Sequence, residues 1–77
     1  MYWVYVLKNS INGRFYYGLT SDLERRLGEH RRTKPFYNLI HQEILKTKKE
    51  ALRREIYLKT GNGRRALRNL LNERGHL

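Results

Sequence analysis

The chain has no cysteine, which removes disulfide frameworks and thiolate zinc sites and makes a reducing, cytoplasmic setting the expectation. Acidic residues are scarce: 7 Asp and Glu stand against 17 Lys and Arg, a formal net charge of +10. Spread over 77 residues, that imbalance is a strong positive field whose natural partners are polyanions. No apolar run approaches the roughly 20 residues of a membrane span. Met1-Tyr2-Trp3-Val4 reads directly as strand with no charged region before it, so neither a membrane segment nor a signal peptide is expected. A chain this short buries only about 60% of its unfolded surface, so one domain over 1–77 is expected. Any polar side chain it turns inward needs a reason.

What is present is punctuated clearly. Tyr2 to Leu7 is β-branched or aromatic almost without break, the pattern of a strand buried on both faces. Asn9 to Gly13 follows as a turn carrying the Asn-Gly hairpin signal, and Arg14 to Leu19 is the second strand. Antiparallel pairing with an odd register sum places Tyr5 and Tyr16 on one face, an inference that a β-bulge between the two strands would undo. Gly18 is expected to end this strand where backbone passes close to something. Ser21 with Glu24 reads as a capping box for a helix to about Arg32. Lys34-Pro35-Phe36 forms a loop, since the single proline cannot continue the ladder, and Tyr37 to Lys46 is a third strand. Thr47 with Glu50 caps a second helix ending near Thr60, with Gly61 as a left-handed C-cap and Asn62-Gly63 as a tight connection. Arg64 to Arg74 is a last helix with Leu67, Leu70 and Leu71 on one face and Gly75 closing it. The order β-β-α-β-α-α gives an α/β (α+β) fold: a small three-stranded antiparallel sheet flanked by helices.

Helical periodicity isolates polar residues on apolar faces. At about 100° per residue, Leu23 and Leu27 mark a narrow stripe with His30 almost on its axis and Arg26 beside it. Burying such groups unpaired costs several kcal/mol, so they need acidic or anionic partners. Asp22 and Glu29, at i−4 and i+3 from Arg26, offer an ordinary salt bridge. In the second helix Ala51, Leu52, Ile56 and Leu58 describe a wide apolar arc with Glu55 inside it. A buried glutamate seeks a cation, whether Arg26, another arginine or a divalent metal; an internal ion pair that fixes the helix is the alternative. Tyr2, Tyr37 and Tyr57 read as amphipathic fillers, and Tyr17, opposite in facing to Tyr16, as packing. Trp3 is core or, if exposed, a stacking surface. His41 has no companion at ligand spacing and reads as a structural histidine; His76 falls in a tail. No nucleophile elbow and no phosphate-binding glycine loop before a helix is present.

Val4-Tyr5-Val6, then Tyr16-Tyr17-Gly18, then Leu19 through His30 with Arg26, together resemble the GIY-YIG nuclease superfamily, in particular its small stand-alone bacterial members. The match runs from Trp3 to about Thr60 and is also similar to the N-terminal nuclease module of the excision-repair subunit UvrC. Trp3 and Val4 replace the glycine and isoleucine of the first element, and Tyr17 the second element's isoleucine. The resemblance implies a metal-dependent endonuclease acting on DNA, in repair or recombination. It assigns Tyr16 as general base on the attacking water, Tyr5 as its support, Arg26 as the clamp on the scissile phosphate and His30 as a contact to a phosphate oxygen or a metal-bound water. Glu55 would hold one Mg²⁺ or Mn²⁺. A free phenol titrates near 10, so the base role asks for cationic surroundings. Arg25, Arg32 and Lys34 are the expected contacts to the DNA backbone, because phosphate contacts supply sequence-independent affinity. A homodimer or a larger repair partner is the expected source of any further specificity. The competing readings are a non-catalytic basic nucleic-acid-binding module, and a small structural protein on ribosomal RNA.

Overall fold

The computed structural model describes residues 1–73; the expected end of the last helix at Arg74, the Gly75 stop and His76 lie outside them. The elements are β1 (Tyr2–Asn9), β2 (Phe15–Thr20), α1 (Leu23–Thr33), β3 (Tyr37–Leu45), α2 (Lys48–Lys59) and α3 (Gly61–Glu73). The three strands form one antiparallel sheet in the order β2-β1-β3, the α+β order expected from the sequence.

The central strand explains its own composition. Val4, Tyr5, Val6 and Leu7 are all 0–2% exposed, and alternate side chains of a strand point to opposite faces, so both faces are covered. Val4 and Val6 enter the core with Ala51, Leu58, Leu67 and Leu71, and Tyr2, Phe15, Tyr17, Leu19, Ile40 and Leu45 pack around it. α2 and α3 therefore lie on this face. Tyr5 and Leu7 point to the other, with Gly18 opposite Tyr5 and Tyr16 opposite Leu7. The β1–β2 ladder keeps one register throughout, so Tyr5 and Tyr16 share a face as expected. A bulge does occur, in the other ladder. Val6 pairs with His41 but Leu7 pairs with Leu39, leaving Ile40 as the additional residue. A one-residue slip moves every later side chain to the opposite face, and here it turns Leu39 and Tyr37 towards the side that carries Tyr5 and Tyr16.

Local chemistry corrects several expected boundaries. The hairpin is organised by Asn9, whose side chain accepts from Ile11 N (2.8 Å) and Asn12 N (3.2 Å), with Gly13 at φ +74. The N-cap of α1 is Asp22, which accepts from Arg25 N at 3.1 Å, and not Ser21. The Thr20 hydroxyl accepts from Asp22 N at 3.0 Å, fixing the chain one residue later than the Ser21–Glu24 pattern suggests. Thr47 caps α2 by accepting from Glu50 N at 3.1 Å, as expected. Gly61 is not a left-handed C-cap, and Asn62-Gly63 is no turn: both belong to the first turn of α3. Thr60 does both jobs at this junction. Its hydroxyl donates to Tyr57 O at 2.6 Å and accepts from Gly63 N at 3.1 Å. Gly63 is required by proximity, because a Cβ there would fall on the Tyr57 carbonyl.

The wide apolar arc expected on α2 is also corrected. Leu52 and Ile56 are 45% and 56% exposed, so the buried stripe is only Ala51 and Leu58, with Arg54 and Glu55 half-buried on its two flanks. Arg54 reaches Glu43 on β3 through Nε (2.7 Å) and Nη2 (3.0 Å). Glu43 also bonds His41 Nε2 at 2.7 Å, which makes His41 the satisfied structural histidine expected of it.

Candidate active site

On the face of the sheet opposite the core, β1 and β2 each present one tyrosine, and α1 lays its polar stripe against them. Gly18 makes this possible. A Cβ at that position would fall on Cζ, Cε1 and the hydroxyl of Tyr5, so the Tyr5 ring lies directly across the glycine of β2. The close approach expected of Gly18 is thus to the first tyrosine, although the glycine sits inside the strand and not at its end. The Tyr5 side chain is wholly buried, and its hydroxyl is 2.8 Å from His30 Nε2. Tyr16 is less covered; its ring meets His30 edge-on at 5.1 Å and Tyr37 at 6.3 Å. Lys34, the C-cap of α1, holds its ammonium 5.1 Å from the Tyr16 ring centroid, a cation–π distance.

Charge is distributed unevenly over these groups. Burial pushes the Tyr5 phenol above its usual value, opposed by the Arg26 guanidinium beside it and reinforced by the nearby charges of Tyr16 and Glu55. Burial also lowers His30, and Arg26 and Lys34 push it further in the same direction. At neutral pH the imidazole is therefore neutral and the phenol protonated. With His30 as its Nδ1–H tautomer, Tyr5 O–H donates to Nε2. Arg26 is raised, first by Tyr5 and then by Glu29.

The ordinary salt bridge open to Arg26 is made, to Glu29 at 3.1 Å, but Glu29 gives its other oxygen to Arg25 at 2.7 Å. Arg26 keeps about a third of its side chain in solvent; exposed pairs of this kind are worth about 0–1 kcal/mol. Arg25 is further engaged by Asp22 at 3.7 Å. Glu55 is half-buried, close enough to act on Tyr5, and has no hydrogen bond or ion pair to another described residue. The neighbouring arginine that could have served as its cation is engaged elsewhere: Arg54 is bound to Glu43.

Of the residues singled out from sequence, the structure gathers Tyr5, Tyr16, Arg26, His30 and Lys34 into one cluster with Glu55 at its edge. Arg32 is exposed on the last turn of α1 and is not among them. Tyr37 is an addition that reads from sequence as a filler, because only the bulge in β3 brings it to this face. Trp3 is half-buried on the same side and lines a groove of about 400 Å³ with Leu23, Leu27 and Gln42.

The family model for the GIY-YIG catalytic domain matches residues 1–69. The chain belongs to the GIY-YIG family. Its relatives among curated proteins include the UPF0213 proteins of Staphylococcus aureus strains Mu3, Mu50 and N315. Each is 35% identical over 82 residues, covering 95% of this chain and 96% of the relative. No solved structure matches the chain. As a GIY-YIG domain it belongs to a nuclease family.

Proposed function

We propose that this protein is a metal-dependent endonuclease that hydrolyses phosphodiester bonds in DNA, and that its place is in DNA repair or recombination. The observation that carries the reading is the convergence of two phenols, a neutral imidazole and a partly exposed guanidinium on one face, beside an unpaired glutamate. Such hydrolysis needs a base for the attacking water and a cation for the charge that develops on phosphate.

The two tyrosines divide the work by environment. Tyr5 is buried, raised and committed to His30, so it orients its neighbours and keeps its proton. Tyr16 is more accessible, carries no hydroxyl bond to another described residue and has the Lys34 ammonium over its ring; as its phenolate it takes the proton from water and becomes the phenol. Arg26 leaves Glu29 to Arg25 and clamps the scissile phosphate through its planar fork. His30, with Nε2 given to Tyr5, is a positioning residue. Lys34 holds the backbone next to the attacked phosphate, while Arg25 and Arg32 add long-range attraction.

Among the described residues no group of three or more His, Asp or Glu is disposed to hold a metal, so an ion held here would have at most two such protein ligands. Glu55, half-buried and unpaired, fits one Mg²⁺ or Mn²⁺, since hard cations are commonly held by one or two carboxylates plus substrate phosphate. When bound, the ion supplies Lewis-acid stabilisation of charge on the phosphate.

The test is incubation with nicked, branched and linear DNA in Mg²⁺, Mn²⁺ or EDTA. Metal-dependent nicking is expected, lost in Arg26→Ala and in Glu55→Ala, with DNA affinity of Glu55→Ala nearly intact. Salt-sensitive retention of DNA without cleavage by the wild type would overturn the enzymatic reading in favour of a non-catalytic binding module. Equal loss of cleavage and affinity in Glu55→Ala would make that glutamate structural.

A further inference from the structure

β2 is an edge strand, and its two faces carry different tyrosines. Tyr16 belongs to the cluster described above; Tyr17 points to the core side, where β2 and α3 enclose a groove of about 440 Å³ lined by Gly13, Arg14, Phe15, Tyr17, Arg64 and Arg68. Three of these six residues are arginines, all exposed, and no carboxylate lines the groove. None of the three has an ion pair with another described residue. That separates them from Arg25, Arg26 and Arg54, which are paired with Asp22, Glu29 or Glu43.

The groove also contains an unmet hydrogen-bonding group. The Tyr17 hydroxyl is shielded from solvent and is the one such buried side-chain atom among the described residues without a hydrogen-bond partner. A buried polar group left without a partner costs about 1–3 kcal/mol. Arg64 lies close enough to act on Tyr17 by charge and by hydrogen bonding, and Arg68 by charge, although no bond to the hydroxyl meets ordinary hydrogen-bond geometry. An oxyanion seated among the three guanidinium forks would accept from all three. Phe15 and Tyr17, edge-on at 6.2 Å, give the groove an apolar wall suited to a sugar.

We propose that the groove between β2 and α3 is a second phosphate-binding site, which grips the backbone of a nucleic-acid strand on the reverse of the edge strand that carries Tyr16. The proposal rests on the nucleic-acid reading above and extends it. A strand with one phosphate at Arg26 passes round the unpaired edge of β2 and places another phosphate at Arg14, Arg64 and Arg68. Binding thus uses both faces of one strand, and a substrate too short to round the edge is held by one site only.

The experiment compares Arg64→Ala/Arg68→Ala with Lys49→Ala/Arg53→Ala, an equal loss of charge on the exposed side of α2. Fluorescence anisotropy with a labelled DNA, over a range of salt, reads affinity and its salt slope. The groove pair is expected to weaken binding at least tenfold and to reduce the log–log salt slope by about 0.9, the value for one lost phosphate contact. The control pair is expected to change affinity less than threefold. In ¹⁵N spectra of the wild type, the DNA should shift the Arg64 and Arg68 side-chain Nε signals. Inorganic phosphate should shift the same signals only at millimolar concentration. Equal weakening by the two pairs, or Arg64 and Arg68 signals unmoved by DNA, would overturn the proposal; so would tight binding of inorganic phosphate that DNA does not displace. The two readings fail separately: wild type that binds DNA through the groove without cutting it sinks the enzyme alone, and normal cutting with unchanged affinity in the groove variant sinks the groove alone.

Discussion

Substituting Gly18 with alanine is the sharpest probe of how the site is built. The added methyl would fall on Cζ, Cε1 and the hydroxyl of Tyr5, and the ring cannot retreat, because Tyr5 has no exposed surface and is bonded to His30. Overpacking of this kind costs about 1–3 kcal/mol, which in a domain of this size lowers Tm by roughly 5–20 °C. The backbone itself raises no objection: among the described residues only Gly13 has positive φ, so Gly18→Ala in a vacated site stabilises by about 0.4–1 kcal/mol through the unfolded chain. The cycle therefore uses Tyr5→Leu, whose side chain stops short of the colliding atoms. Urea or thermal unfolding of wild type, both single variants and the double variant should give a coupling of about 1–3 kcal/mol between the two positions. Gly18→Ala with the same cost in the wild-type and Tyr5→Leu backgrounds would refute the ring-over-glycine account.

Other expectations concern pH and caps. His30 is lowered from 6.5, so the unfolded chain binds its proton more readily. Its contribution is complete above pH 6.5 and is lost as pH falls through the folded-state value. An NMR titration should place His30 below 6.5, and His30→Gln should flatten stability between that value and neutrality. Glu43 is buried, which opposes ionisation, but Arg54 and His41 hold it below 4.5, so its contribution is present above that pH and fades as pH falls towards the folded value. Glu43→Gln should cost about 1–2 kcal/mol at pH 7, less than a fully buried pair because the Arg54 end is in solvent, and the difference from wild type should shrink in acid unfolding. Thr60→Val removes a hydroxyl that serves two helix ends and should cost about 1–2 kcal/mol, with Thr60→Ser recovering most of it.

Strand features were legible because a period of two is unambiguous when both faces are filled. Trp3 to Leu7 could hardly be anything else, and the odd register placed Tyr5 with Tyr16 correctly. Helix α1 was legible for a related reason: its few apolar residues left His30 and Arg26 nowhere else to go. Helix α2 misled because hydrophobic type is not burial. Leu52 and Ile56 look outward, while Ala51 and Leu58 are buried with Val4 and Val6 of β1, partners distant in sequence. The cap of α1 was ambiguous because Ser21 and Asp22 are both good caps in adjacent positions; the Thr20 hydroxyl makes the choice. The Glu43 hub was missed although His41 and Glu43, two apart on one strand, were a visible signal of a shared face. Its third member, Arg54, is distant in sequence. The bulge at Ile40 had no local signature, and with it went Tyr37.

The central position of β1 has a genetic consequence. Its even residues, Val4 and Val6, answer to the core, while its odd residues, Tyr5 and Leu7, answer to the tyrosine–histidine face. Selection for foldedness and selection for chemistry therefore read alternate codons of a single short segment. A lineage can retune one set without rewriting the other, and a library randomised across these four codons should sort into two nearly independent phenotypes.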